Sequence, residues 1–524
     1  MVYPGRPSRG CLACIARKVK CDEVKPECER CKKREQPCPG YRDPEERKSM
    51  QKSRTHSAVS TSGPSTSSSA APEASRSRQR ESARSISHSQ SLGTPIVPPQ
   101  QNFCDQAVCL FFHQYIIAST DGGNPGFFDF LPELYALSNT EDALSQAVKA
   151  VSYITLSGQS SVKILSDIGH EHYRTTLQRI TQMLQTPESA AQDSLIIAIM
   201  LVVLFENVTY EKPAVMMSHA KGLHTLLLHR GVGQFTSSQS RAIFRHVNSH
   251  TQVRNIELSE YPSPETEQWL QGLDMSSPTA GSISEKYRIA NVRAAAKEAL
   301  SHPHNTRDIE ARLLEILQEA RELDADVARW ARELPPSCGY HVWRLDANGD
   351  AKQIIEVPDI TAAPPGLMQD SAQRMLTYAD VWFASLWAGH RTSRLMLSET
   401  MLRIARRLNL PYAQQDATTV MQEICTETCA SIPFSLGDIQ VRTDGLGREV
   451  LEMNIDSRTK KGAGAGAYFV VWSLRHVVSC EFASEAQVQS ASEALVRVGA
   501  QYGIKQALTL ANRQYQCHPG ATNR

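Results

Sequence analysis

Six cysteines near the amino end of this 524-residue chain, Cys11, Cys14, Cys21, Cys28, Cys31 and Cys38, are the residues best placed to do chemistry. They are spaced C-x2-C-x6-C-x6-C-x2-C-x6-C, and the second triplet repeats the first at a constant offset of 17 residues. A duplication of this kind sets two similar ligand-bearing units about one centre. Zinc takes four ligands in a tetrahedron and favours thiolate. One zinc would leave two of the six cysteines idle. Two zincs need eight ligand positions, which six thiolates supply when two of them bridge. Such a cluster carries 4 − 6 = −2, a charge that neighbouring Arg and Lys offset. A lone C-x2-C can be a redox pair, but thioredoxin-type chemistry needs a βαβ setting that this stretch lacks. Two separate four-ligand zinc sites fail on the count.

The stretch Cys11-Leu-Ala-Cys14-Ile-Ala-Arg17-Lys18-Val-Lys20-Cys21-Asp-Glu, followed by Lys25-Pro26-Glu-Cys28-Glu-Arg-Cys31, resembles the binuclear zinc cluster of fungal transcription factors. The resemblance implies that Cys11 and Cys28, the first cysteine of each half, bridge two Zn2+ ions, and that Pro26 shapes the loop joining the halves. A segment this small cannot build an apolar core, so metal binding should supply its folding energy.

Between Cys14 and Cys21, Ala16, Arg17, Lys18 and Lys20 are good helix formers and give a short, basic helical surface. In the 17-residue repeat Arg17 pairs with Arg34, but Lys18 pairs with Glu35, whose carboxylate would repel phosphate. The first half is therefore expected to face nucleic acid and the second to be structural. By resemblance Lys18 is the base-reading lysine, directed at the guanines of a CGG triplet. Guanine O6 and N7 are both acceptors and suit a lysine donor. Arg17, Lys20 and Arg9 would hold phosphates, which gives affinity without sequence information. Ile15 stands where the family often has Arg or Lys, at the expense of one phosphate contact. Outside a zinc cluster the alternative reading of these residues is a solvated basic face.

Charge is distributed to match. Residues 1–55 hold 15 Lys/Arg against 8 Asp/Glu, a net of +7, while the other 469 residues hold 41 against 47, a net of −6. A basic end on a mildly acidic body suits a polyanionic partner. Three segments follow: a zinc-cluster DNA-binding domain over 1–45, a Ser-rich disordered linker over 46–102, and a large all-α regulatory domain over 103–524. Residues 53–91 carry 15 serines in 39 positions, too few apolar groups to offset ordering entropy. The basic, serine-flanked run Arg76 to Arg84 reads as a nuclear-import or tethering segment or as plain solvating linker. Residues 42–102 contain no heptad run, so the coiled coil through which many relatives dimerise is missing there. The longest apolar run, Leu195 to Phe205, has 11 residues and stops at Glu206, which excludes a membrane span and predicts a buried helix. The N-terminus has no apolar stretch, so no secretory signal is expected and the cysteines are read as reduced.

From Phe103 onward helical periodicity dominates, notably at Ser189–Val208, Val215–Arg230, Arg307–Glu333, Ala372–Leu408 and Ala465–Phe482, with strand-like alternation scarce. The expected fold class is mostly α. The region resembles the helical regulatory domain of fungal zinc-cluster factors through Met217-Ser-His-Ala-Lys-Gly222-Leu to His229-Arg230-Gly231, Trp382 with Trp387 and Arg391, Ser431-Ile-Pro433-Phe-Ser-Leu-Gly437, and Tyr468 to Trp472-Ser-Leu-Arg475. Ile309, Leu313, Ile316, Ala320, Leu323, Val327 and Trp330 alternate spacings of four and three; the uneven seam favours an amphipathic helix packed in its own domain over a coiled coil. Catalytic candidates are thin. Gly462-Ala-Gly464-Ala-Gly466 lacks a preceding strand and reads as a turn entering a helix, not a phosphate loop. His170-Glu-His172 reads as exposed, Cys425 and Cys429 as packed thiols, and His219, His224 and His229 as spread around a helix. No enzyme is expected. The sequence reads as a nuclear, zinc-dependent, sequence-specific regulator of RNA polymerase II transcription that binds double-stranded DNA and governs a metabolic or biosynthetic gene set. A homodimer and a small-molecule effector or the transcription machinery complete the expected partners; no membrane is among them. The alternative makes the C-terminal domain an effector sensor with weak DNA engagement.

Overall fold

The computed structural model describes Cys11, Cys14, Cys21, Asp22, Val24, 28–33 and Cys38, and then 103–511 apart from 121–124, 161, 211–212, 232–234, 236, 272–277, 346–350, 355–373 and 454–455. The chain divides into two compact units, Met1–Pro95 and Ile96–Arg524. In the first, the described buried residues are cysteines alone, with a single helical turn at Glu29–Lys32. The serine-rich linker lies outside the described residues.

The second unit begins with α1 (Phe103–Tyr115), α2 (Ala143–Ser160), α3 (Lys163–Met183) and α4 (Asp193–Thr209). It continues with α5 (Pro213–Arg230), α6 (Ser238–Leu258), α7 (Pro278–Ser301) and α8 (Arg307–Glu333). The apolar run in α4 is buried on every side from Leu195 to Thr209, as a helix without a polar face must be. Asp193 opens α4 and is held by Arg230 from the end of α5 and by Gln239 Nε2 at 2.7 Å. In α8, Leu313, Ile316, Ala320, Leu323 and Val327 are buried against α7 and α9 (Val381–Arg407). The 4-3 seam is thus consumed inside its own domain. Trp330 lies on Gly281 of α7, where a Cβ would collide with the indole.

Two small antiparallel sheets interrupt the helices. β1 (Tyr340–Leu345) lies between β2 (Ala351–Ile354) and β3 (Arg374–Tyr378), with Trp343 opposite Met375. The helix expected from Ala372 therefore starts late. Residues 374–378 pair with β1 instead, and Asp380 caps α9 by accepting from the Phe383 N–H at 3.0 Å. After α10 (Pro411–Ser435) comes a hairpin of β4 (Ile439–Thr443) and β5 (Glu449–Met453). Its turn is tied by Asp444 Oδ1, which accepts from the Leu446 and Arg448 N–H groups, with Gly447 at positive φ. The body is mostly α, as expected, but not all-α.

α11 (Ala463–Ser479) and α12 (Glu485–Tyr502) close the body. The glycine run serves packing. Gly462 caps α11 with φ 77°, and a Cβ on Gly466 would strike the Ser435 carbonyl of α10. One continuous apolar core runs from Val108 in α1 to Ala507 in the last short helix. At its centre Arg391 of α9 is 2% exposed. Its Nε donates to Glu427 at 2.8 Å and its NH1 to the Tyr378 hydroxyl at 2.7 Å. The guanidinium carbon is 5.1 Å from the Tyr340 ring centre and 5.5 Å from that of Trp387.

Candidate metal centre

The first unit is organised by sulfur. The Cys11 and Cys28 sulfurs are 3.6 Å apart, Cys11 is 3.8 Å from Cys31, and Cys14 is 3.8 Å from Cys28. Four thiolates on one zinc, with Zn–S near 2.3 Å, stand about 3.8 Å from one another by tetrahedral geometry. Two groups of four have all their sulfurs within 4.8 Å: Cys11, Cys14, Cys21 and Cys28, and Cys11, Cys28, Cys31 and Cys38. Cys11 and Cys28 belong to both. The donor set therefore fits two tetrahedral zinc ions with two shared sulfurs.

The 17-residue repeat appears as local symmetry. In the first C-x2-C the Cys14 N–H points at Cys11 Sγ at 3.4 Å; in the second the Cys31 N–H points at Cys28 Sγ at 3.3 Å. Such N–H···S contacts stabilise charge on the sulfur. The Glu29–Lys32 turn makes the second of them possible, with Cys31 N–H and Lys32 N–H both returning to the Cys28 carbonyl. Cys11, Cys14, Cys28 and Cys31 are fully buried, while Cys21 and Cys38 sit at the rim. Removal from water pushes the Cys11 thiol up to about 12 and the Cys28 thiol higher still. Among the described residues the six crowded sulfurs have no apolar companions to pack against. A pair of divalent cations that turns them into ligated thiolates explains the arrangement.

Arg9, Arg17, Lys18 and Lys20, like Arg34 and Glu35, lie outside the described residues.

A family model described as the fungal Zn(2)-Cys(6) binuclear cluster domain matches residues 9–48. A second, the fungal specific transcription factor domain, matches residues 102–343. The chain thus carries both domains that mark the fungal zinc-cluster transcription factors. Searches of curated proteins and of solved structures each return no significant match. The family's domains make this a zinc-containing, DNA-binding transcription regulator, and they are regulatory domains rather than enzymes. Zinc-cluster domains bind DNA and often dimerise, and factors of this kind are typically nuclear. Among the described residues no helix is long and apolar enough to cross a membrane. The second match ends at residue 343, inside a core that continues to Ala507. Trp382, Trp387, Arg391 and Tyr468 lie beyond it and belong to that same core or line it.

The minor candidates resolve as packing. Among the described residues, the two cysteine quartets are the groups close enough to hold a metal. His172 Nδ1 lies 2.7 Å from Gln146 Oε1 and its ring stacks on Tyr153, while His170 turns back to the Ser166 carbonyl at 2.8 Å. His219 meets Glu206 at 2.8 Å, and His224 packs edge-on to Trp269. Cys425 is fully buried, and burial pushes the Cys429 thiol up to about 12. Sequence reasoning missed the partners of Arg391. Tyr340, Tyr378 and Glu427 come from β1, β3 and α10, and no local spacing connects them.

Proposed function

We propose that Cys11, Cys14, Cys21, Cys28, Cys31 and Cys38 hold two Zn2+ ions with Cys11 and Cys28 shared, and that the cluster presents Lys18 to the guanines of CGG-type triplets. The observation that carries this reading is the pair of sulfur quartets overlapping at Cys11 and Cys28. Zinc supplies the cross-link that fixes both halves; the chain's own residues do the reading. Lys18 donates to guanine O6 and N7, and Arg9, Arg17 and Lys20 neutralise flanking phosphates. The protein acts in the nucleus, on RNA polymerase II genes of a metabolic or biosynthetic set. Residues 1–45 bind DNA, 46–102 link, and 103–524 regulate, responding to a small effector or to the transcription machinery.

Selection of sites from random double-stranded DNA with the full-length protein tests this. Enrichment of CGG is expected, with two triplets at fixed spacing for a homodimer and one for a monomer. Lys18→Ala should cost roughly 1–3 kcal/mol of discrimination at one base while leaving non-specific affinity nearly intact. Equal affinity of the unmodified protein for cognate and scrambled DNA would refute the base-reading role.

A further inference from the structure

The helical body holds a partly open cavity of about 380 Å³, within the range of small-molecule sites. Its wall is divided by element. α4 and α5 give it aliphatic surface through Met200, Val203, Leu204 and Leu223, and α9 and α11 add Trp382, Tyr468, Phe469 and Trp472. α6 and α7 give it polar and cationic surface. Arg245, Ser249 and Val253, with His246, His250 and Arg254 beside them, recur at helical spacing, so one face of α6 lines the space. His250 lies deep enough for burial to push its imidazole down to about 4, yet it carries accessible surface, because it faces the cavity.

Cations outnumber carboxylates on this wall, with Arg245, Arg254, Lys286 and Arg475 against Asp129 and Glu257. Arg475 is neutralised by Glu257 at 2.7 Å and Arg254 by Glu260 at 2.8 Å. Lys286 is 8% exposed, and its ammonium donates to the Ser282 hydroxyl at 3.0 Å. Among the described residues neither Lys286 nor Arg245 has a carboxylate within ion-pair distance, although Asp129 lines the same cavity and acts on Arg245 from farther away. The neighbouring Glu285 faces His390 at 3.7 Å, and the same burial pushes its carboxyl up to about 8 and the Lys286 ammonium down to about 8. A buried ammonium without a counter-ion is costly, and an entering anion would relieve that cost.

We propose that this cavity binds a small organic acid, its carboxylate held by Lys286 and Arg245 and its apolar body by the aromatic and aliphatic wall. This gives a chemical class to the effector of the regulatory body and stands independently of how the zinc cluster reads DNA. Calorimetric titration of the full-length protein with 2-naphthoate and decanoate, each beside its neutral amide, tests it. At least one acid should saturate a single site per chain and bind more than tenfold tighter than its amide; which acid wins tells an aromatic from an aliphatic body. Lys286→Met and Arg245→Gln should each weaken acid binding by about tenfold and leave amide binding unchanged. Arg245 is only partly buried, so its variant stays informative if Lys286→Met fails to fold. The proposal falls if neither acid saturates, if acids and amides bind alike, or if both folded variants bind the acid as the unmodified protein does. DNA binding measured on the same samples separates these outcomes from failure of the zinc cluster.

Discussion

Cys11 and Cys28 differ from the other four ligand candidates in one respect: each belongs to both sulfur quartets. Losing either opens both zinc sites, whereas losing Cys38 at the rim opens one. Metal analysis of the full-length protein should find Cys11→Ser depleted of both zincs and Cys38→Ser retaining about one. Equal losses from the two variants would contradict shared sulfurs. At the same scale, Glu257 shows how the body responds to acid. Burial alone would raise its carboxyl, but His476, Arg475 and the Trp472 N–H outweigh burial and hold it near 2, against 4.5 for a free side chain. Because the folded value is the lower one, this stabilisation is complete above pH 4.5 and is lost as pH falls from about 4.5 to about 2. It amounts to something on the order of 3 kcal/mol. Glu257→Gln should lower the melting temperature at pH 7 and flatten its fall over that window; curves parallel to the unmodified protein would exclude this role.

At the scale of elements, what was legible depended on whether the signal was local. The buried α4 showed in an unbroken apolar run, and α8 in its 4-3 seam. β3 did not show, because Arg374–Tyr378 is strand only by virtue of pairing with Tyr340–Arg344, some thirty residues earlier. The Asp380 cap marks the true start of α9, and the periodic stretch from Ala372 runs past it on the N-terminal side. Likewise the glycines at 462–466 were legible as a turn entering a helix, but the reason for Gly466 lies in α10. Gly466→Ala would push a methyl group into the Ser435 carbonyl and should destabilise the body by roughly 1–3 kcal/mol in thermal or denaturant unfolding. Gly447→Ala, with open space around its Cβ, meets only backbone strain at its positive φ and serves as the comparison.

The whole molecule joins two units held together by different physics. The body buries one large apolar core, while the described core of the first unit is sulfur. The six cysteines whose sulfurs gather in the two quartets were all marked in the sequence, because metal ligation demands particular residue types at particular spacings. The cavity in the body was invisible there: Arg245, Lys286 and Trp472 stand far apart in the chain, and only helix packing brings them to one wall. Chelation should therefore abolish DNA binding and leave the helical circular dichroism and the thermal transition of the body in place. The central claim is tested most directly by native mass spectrometry of the full-length protein with thiol labelling. Two zinc ions per chain, with Cys11, Cys14, Cys21, Cys28, Cys31 and Cys38 protected until a chelator is added, is the predicted result. A single zinc per chain, or free labelling of any two of the six before chelation, would contradict it.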